Sequence, residues 1–281
     1  MRFGVTIFAT DQSMGVAELA REAEAAGFES IWIPEHTHIP VSRRTPPPTG
    51  SAVLDEEYKR SVDPLISLAA AAAVTTKIRL GTGVMLPAQH EVLVTAKQIA
   101  TLQNLSAGRF EFGVGFGWNE DEMADHGVSY STRRAHSKEH VMAMQELWNN
   151  DVASFDGEFV SFPDTWSWPK PTVPVPVLIG GGAGPKMFAH IAEYGDGWIP
   201  IGGAGLKEAL PEFYAAVEAA GRDPQSMRVI PFGSNPTAEK LNYFASIGVS
   251  ECVFRLPSAP KTEVMKTLEQ QAVLIQNWID V

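Results

Sequence analysis

Two rhythms of apolar and polar residues alternate along the chain. Short, nearly unbroken apolar blocks read as buried strands. The longer stretches between them, with apolar residues three and four apart, read as helices. Strands are expected at Arg2–Phe8, Ser30–Ile33, Ile78–Val84, Arg109–Gly115, Val175–Ile179, Gly197–Ile199, Met227–Phe232 and Glu251–Arg255. Helices are expected at Met14–Ala26, stopped by Gly27, then at Asp63–Val74, Glu91–Leu105, Arg133–Asn150, Pro185–Glu193, Leu206–Ala220, Thr237–Ile247 and Lys261–Ile279. Strands alternating with helices argue for a parallel sheet, and eight such units without a change of pattern argue for closure into a (β/α)8 TIM barrel, α/β in class. A doubly wound open sheet is the structural alternative. Residues 1–281 are read as one domain, because a barrel of this length forms a single core.

Two segments interrupt the rhythm. Pro34–Lys59 is polar and proline-rich, with Pro46-Pro47-Pro48 inside it, and reads as a long functional loop. Phe155–Thr172 carries aromatic residues, prolines and an Asp156-Gly157 turn, and reads as a β-hairpin inserted before the fifth strand. Its aromatic residues Phe155, Phe159, Phe162, Trp166 and Trp168 would either pack the hairpin on the barrel or wall an apolar pocket.

Composition narrows the partners. A net charge of −11 opposes binding to nucleic acid and to anionic membranes, so any anionic ligand must meet a local positive site. No apolar run reaches the length of a membrane helix, and the N-terminus enters a strand without a signal-peptide pattern. Cys252 is the only cysteine, which excludes an internal disulfide and fits a cytoplasmic location; inside a strand it reads as inert core.

Barrel enzymes place their sites on the loops after the strands. After the second strand stand Glu35, His36 and His38. His36 could exchange a proton near neutral pH, with Glu35 holding it, and a zinc site from all three is a weaker reading. After the third come Gly81, Gly83 and Val84, where glycine permits a simple bend or a close backbone approach. After the fourth, Gly113, Gly115 and Gly117 precede Asn119, whose amide could bond the edge of a heterocycle; the spacing is not that of a dinucleotide fingerprint. After the fifth, Gly180-Gly181-Gly182-Ala183-Gly184 leads into a helix and suits a phosphate. No set of inward ligands for a metal stands out, though Asp196 could join His36 and His38 in a metal-dependent hydrolase.

Taken together, Leu80–Val84, Leu105–Gly115, Arg133-Arg134, Pro169–Pro171, the glycine turn and Tyr194–Trp198 resemble the luciferase-like monooxygenase superfamily, within it the branch that uses the deazaflavin coenzyme F420. The resemblance implies a flavin- or deazaflavin-dependent oxidoreductase that moves a hydride between F420 and a small, apolar substrate. It implies a non-prolyl cis peptide at Gly83–Val84 behind the ring, Glu35 and His36 beside it, with His36 carrying the proton, and Asn119 in contact with it. Gly181, Gly182 and Ala183 would hold the phosphate. Related deazaflavin-using chains carry aspartate where Glu35 stands. Some sugar-oxidising ones carry a glutamate just before the asparagine matched by Asn119, where this chain has Phe116, Gly117 and Trp118, so a more apolar substrate than a sugar phosphate is expected. Arg43 and Arg44 are candidates for the anionic cofactor tail. FMN with molecular oxygen is the alternative cofactor reading, and a non-catalytic flavin- or ligand-binding barrel the alternative class. A homodimer, and a separate reductase for the cofactor, are further expectations from the resemblance.

Overall fold

The computed structural model describes residues 1–46 and 53–280, so Pro47 and Pro48 of the expected proline run lie outside the described residues. Eight barrel positions are filled by β1 (Arg2–Thr6), β2 (Ser30–Ile33), β3 (Arg79–Thr82), β4 (Phe110–Val114), β7 (Val177–Gly180), β8 (Gly197–Ile199), a seventh strand in two pieces, β9 (Arg228–Val229) and β10 (Phe232–Ser234), and β11 (Glu251–Arg255). The sheet runs β10-β11-β1-β2-β3-β4-β7-β8-β9. Its ends, β10 and β9, are consecutive in the chain, so the sheet closes on itself. The Ile230 N–H donates to the Trp198 carbonyl and the Val253 N–H to the Pro231 carbonyl, both at 2.9 Å, which carries the ladder across the join. The break within the seventh strand falls at Pro231, which has no N–H to give.

Around the barrel lie α1 (Val16–Ala25), α3 (Pro64–Val74), α4 (Val92–Leu105), α6 (Arg133–Asn149), α7 (Pro185–Tyr194), α8 (Leu206–Ala219), α9 (Ala238–Ser246) and α10 (Lys261–Ile279). Their starts follow the local chemistry. Asp63 caps α3 by accepting the Ile66 N–H, with Pro64 in the first turn, and the Glu91 carboxylate accepts the Leu93 and Val94 N–H groups at the start of α4. Two short helices, α2 (Glu56–Lys59) and α5 (Glu120–Asp125), sit in loops on the carboxyl side of the strands. The hairpin of β5 (Ala153–Asp156) and β6 (Ser161–Thr165) packs on α6, where Glu139 accepts the N–H groups of Glu158, Phe159 and Val160.

Inward side chains recur every second residue along each strand and form three tiers. The lowest tier is ionic and comes from the starts of the strands: Arg79, Arg228 and Glu251 as first residues and Glu111 as the second of β4, with Arg2 and Ser30 beside them. Two residues further on, Trp32, Leu178, Ile199, Ile230 and Val253 form a small apolar plug. Trp32 fits only because its neighbour is Gly81, where any Cβ would overlap the indole ring. Above the plug the barrel opens.

Candidate active site

The mouth of the barrel is shaped by a departure from the β3 ladder. The Gly83–Val84 peptide is cis, as the family resemblance implied. The Val84 carbonyl accepts the Glu35 N–H at 3.2 Å, and the ladder resumes where Met85 donates to the Gly113 carbonyl at 2.8 Å. This bulge turns Val84 toward the next strands. A Cβ on Gly113 would overlap the Thr82 carbonyl, one on Gly115 would overlap Val84 Cγ2, and one on Gly180 would lie 2.8 Å from Val84 Cγ1. Gly113, Gly115 and Gly180, at the ends of β4 and β7, are therefore there for close approach rather than for a bend.

A cavity of about 370 Å³ opens above the plug. Its wall includes Glu35, His36, the Gly83–Val84 bulge, Phe116, Trp118 and Gly181, and Phe232 and Arg255 close the far side. Apolar side chains and glycine backbone make up most of it.

Two acid–histidine pairs with opposite polarity flank the cavity. The Glu35 carboxylate accepts the Leu86 N–H at 2.7 Å and bonds His90 Nε2 at 2.8 Å. His90 is thereby a histidine with its pKa raised: burial works against the charge, and the Glu35 hydrogen bond and charge, helped by Asp63, outweigh it. In the second pair the histidine faces the cavity and the acid stands behind it, with His36 Nδ1 2.8 Å from Glu122 Oε2. The Trp118 indole N–H points at His36 Nε2 across 3.4 Å. Asn119 stands directly behind this wall as the residue preceding α5; its side chain is buried, and neither amide atom has a partner among the described residues. The turn after β7 brings Gly181 to the cavity edge, while Gly182 and Ala183 are exposed beyond it, ahead of α7.

A family profile described as luciferase-like monooxygenase matches residues 1–239. The chain belongs to that family. Among curated relatives, an uncharacterised protein of Mycobacterium tuberculosis H37Rv is 43% identical over 97% of this chain and 98% of its own length. An F420-dependent glucose-6-phosphate dehydrogenase of Kineococcus radiotolerans is 31% identical over 74% of this chain and 59% of its own length. Among solved structures, an F420-dependent secondary alcohol dehydrogenase in complex with an F420-acetone adduct superposes with a TM-score of 0.78 at 20% identity, covering 98% of this chain and 99% of that one, which shows the shared fold.

Within this luciferase-like barrel several expectations change. Glu35, His36 and His38 do not converge on a metal: Glu35 pairs with His90, His36 with Glu122, and His38 with Asp125. No group of three or more metal-ligating side chains occurs among the described residues. Asp196 precedes β8, at the opposite end of the barrel, where it accepts the Val177 N–H. The hairpin aromatics do not wall the cavity; Phe155 stacks with Phe162, and Trp166 and Trp168 are 79% and 56% exposed on the outer surface. Arg44 is already engaged by Asp121 and Glu120. Burial pushes the Cys252 thiol up to about 12, in keeping with inert core. No helix of the described residues is long and apolar enough to cross a membrane.

Sequence reasoning missed Tyr58, His90, Trp118 and Glu122. Tyr58 lines the cavity from the four-residue α2 and Trp118 from an irregular segment, both too short to give a periodic signal. His90 and Glu122 reach the site only through the folding of a three-residue turn, Pro87–Gln89, and of six-residue α5. The Asn119-Glu120-Asp121-Glu122 run, an N-cap residue followed by acids, was the available sign of a helix start.

Proposed function

We propose that this member of the luciferase-like family is an oxidoreductase that moves a hydride between coenzyme F420 and a small, largely apolar organic substrate. The observation that carries the reading is the cavity between the Gly83–Val84 bulge and His36, held open by glycines whose Cβ atoms would fill it or displace the bulge. The residues present fit a flat polar ring. Val84 offers an apolar wall, and the turn at Gly181, Gly182 and Ala183 offers backbone room for a phosphate ahead of the ten-residue α7. The Asn119 amide, unpartnered among the described residues, is buried behind the wall and does not line the cavity, so the ring contact expected of it is not made in this arrangement. When bound, the deazaflavin supplies or takes the hydride. The protein's own groups orient the substrate and exclude water, and His36 holds or releases the proton at Nε2. Phe116, Ile199, Ile201 and Phe232 leave an apolar space for the substrate. Relatives named as F420-dependent dehydrogenases support the cofactor assignment.

Titration with F420 and with FMN, followed by fluorescence, tests the reading. Micromolar binding of F420 alone is the expected result; FMN alone would move the chain to the oxygen-using reading, and binding of neither would remove the assignment. His36→Ala should lower turnover by about 10²-fold or more while F420 affinity stays within about threefold. Unchanged turnover would remove the proton role.

We further propose that the chain forms a homodimer through α3 and α4 and works in the cytoplasm, drawing its reduced cofactor from a separate reductase. Helix α3 has no charged residue and exposes Ile66, and α4 exposes Leu93, Val94 and Leu105, an apolar outer face on a strongly acidic chain. Light scattering should give twice the 30.5 kDa chain mass, and Ile66→Glu should return it to the monomer value.

A further inference from the structure

Asn119 and Glu122 have the spacing of a capping box, in which the acid three residues on reaches back to the N-terminus of its own helix. Here the box is not made. Asn119 makes no side-chain capping bond, and Glu122 turns away from α5 to His36, which comes from the end of β2, 86 residues earlier. The Glu122 side chain is 1% exposed and that of His36 6%. Glu122 Oε1 has no partner among the described residues. A carboxylate buried with a single bond is costly unless its partner carries charge at some stage.

The donors around His36 fix its proton. An indole N–H can only donate, and that of Trp118 faces Nε2, long at 3.4 Å. Nε2 is therefore the lone-pair side of the neutral ring, and the ring proton lies on Nδ1, donated to Glu122.

We infer that Glu122 is the positioning residue of this site: it holds His36 as the Nδ1–H tautomer, so that Nε2, whose lone pair meets only the long Trp118 N–H contact among the described residues, is the acceptor once a substrate group displaces that contact, and it stabilises the imidazolium formed when Nε2 takes a proton. The inference rests on the oxidoreductase reading above. For a substrate whose reacting carbon bears an O–H or N–H group, the step that Glu122 serves is a paired transfer of hydride and proton. In the oxidative direction the C–H bond breaks with its electron pair, which leaves as hydride to the oxidised deazaflavin. The O–H or N–H bond breaks with its proton going to Nε2, and the carbon–heteroatom bond becomes double. The reverse reaction returns hydride to carbon and the proton from Nε2 to the heteroatom.

The test is the tautomer itself, read in full-length protein labelled with 15N-histidine by long-range 1H–15N correlation, with and without F420. His36→Gln assigns the signal that matters among the seven histidines. Wild type should show Nδ1 protonated and Nε2 with the shift of an unprotonated nitrogen. Glu122→Leu should lose that pattern, and Glu122→Gln should restore it, because an amide oxygen can still accept from Nδ1. Turnover should fall at least tenfold further in Glu122→Leu than in Glu122→Gln, in kcat rather than KM. An Nε2–H ring in wild type, or an unchanged pattern in Glu122→Leu, overturns the inference. If Glu122→Leu does not fold, the wild-type and Glu122→Gln spectra still decide, since absence of the Nδ1–H pattern in either would refute it. Failure to bind F420 would sink the cofactor reading without touching the tautomer result.

Discussion

At the floor of the barrel, Arg79, Arg228 and Arg2 converge on Glu111 and Glu251, and each of the four carboxylate oxygens accepts at least one guanidinium N–H. At the mouth, Glu35 and His36 stand at the end of β2, Glu122 keeps an oxygen without a partner, and the Asn119 amide bonds nothing. The apolar tier of Trp32, Leu178, Ile199, Ile230 and Val253 lies between them. Both ends bury charge, and the difference lies in the acceptors: among the described residues, every carboxylate oxygen at the floor is met and only the Arg228 Nε is left over, whereas at the mouth a carboxylate oxygen and a whole amide are. A network whose carboxylates are all met by partners inside the barrel serves the fold. A set of buried polar groups with capacity to spare serves something that arrives.

The sharpest way to break this contrast is to cut the floor. Glu251→Leu leaves Arg2, Arg79 and Arg228 short of a buried partner and should cost about 3–5 kcal/mol, a Tm fall on the order of 10 °C by thermal melt. F420 affinity should stay within about twofold, because the apolar tier separates the two ends. Loss of affinity at unchanged Tm would show that the floor belongs to the site. The mouth should answer in the reverse sense. Gly115→Ala drives a methyl into Val84 Cγ2 and lies 3.3 Å from Leu86 Cδ2, so it should cost about 1–3 kcal/mol and at least tenfold in F420 affinity. Gly182→Ala sharpens the comparison, since nothing lies within 4 Å of the added atom. It should leave Tm unchanged and still weaken F420 severalfold if the cofactor phosphate closes on that backbone.

The three tiers were legible in part. The sequences Arg79-Leu80-Gly81-Thr82-Gly83 and Glu111-Phe112-Gly113-Val114-Gly115 place an ion, a glycine and a second glycine on one face of each strand, and that two-residue rhythm is the path from floor to mouth. The strand–helix alternation gave the closed barrel, and the residues after β2 gave Glu35 and His36. The partners that decide the chemistry could not be read. Glu122 meets His36 across 86 residues of chain, and His90 meets Glu35 across 55, so no local pattern couples them. The seventh strand was expected whole because Pro231 sits inside an apolar run, and only the ladder shows where its missing N–H breaks the pairing. The glycines at the strand ends permit a bend or a close approach, and only the Trp32 ring beside Gly81 and the Val84 side chain beside Gly115 and Gly180 decide for close approach.

The smallest expected effect separates the two ends by pH. At the floor, burial raises the Glu251 carboxyl, but Arg79 and Arg228 outweigh it and hold it below its usual range. A depressed carboxyl adds stability that is present above the unfolded value of 4.5 and is lost as pH falls through the folded value. At the mouth the sign is opposite. The raised His90 adds stability that is complete below the unfolded value of 6.5 and is lost as pH climbs through its folded value. His126, His136, His140 and His190 are pushed down by burial, so their contributions change below 6.5. Tm should therefore drift down modestly as pH rises from 6.5, and level off once His90 is neutral. Glu35→Gln removes the charge that raises His90 and should flatten that upper slope, while Glu251→Leu should leave it intact and weaken only the acid limb. An upper slope that survives Glu35→Gln would mean that the Glu35–His90 pair is not what titrates there.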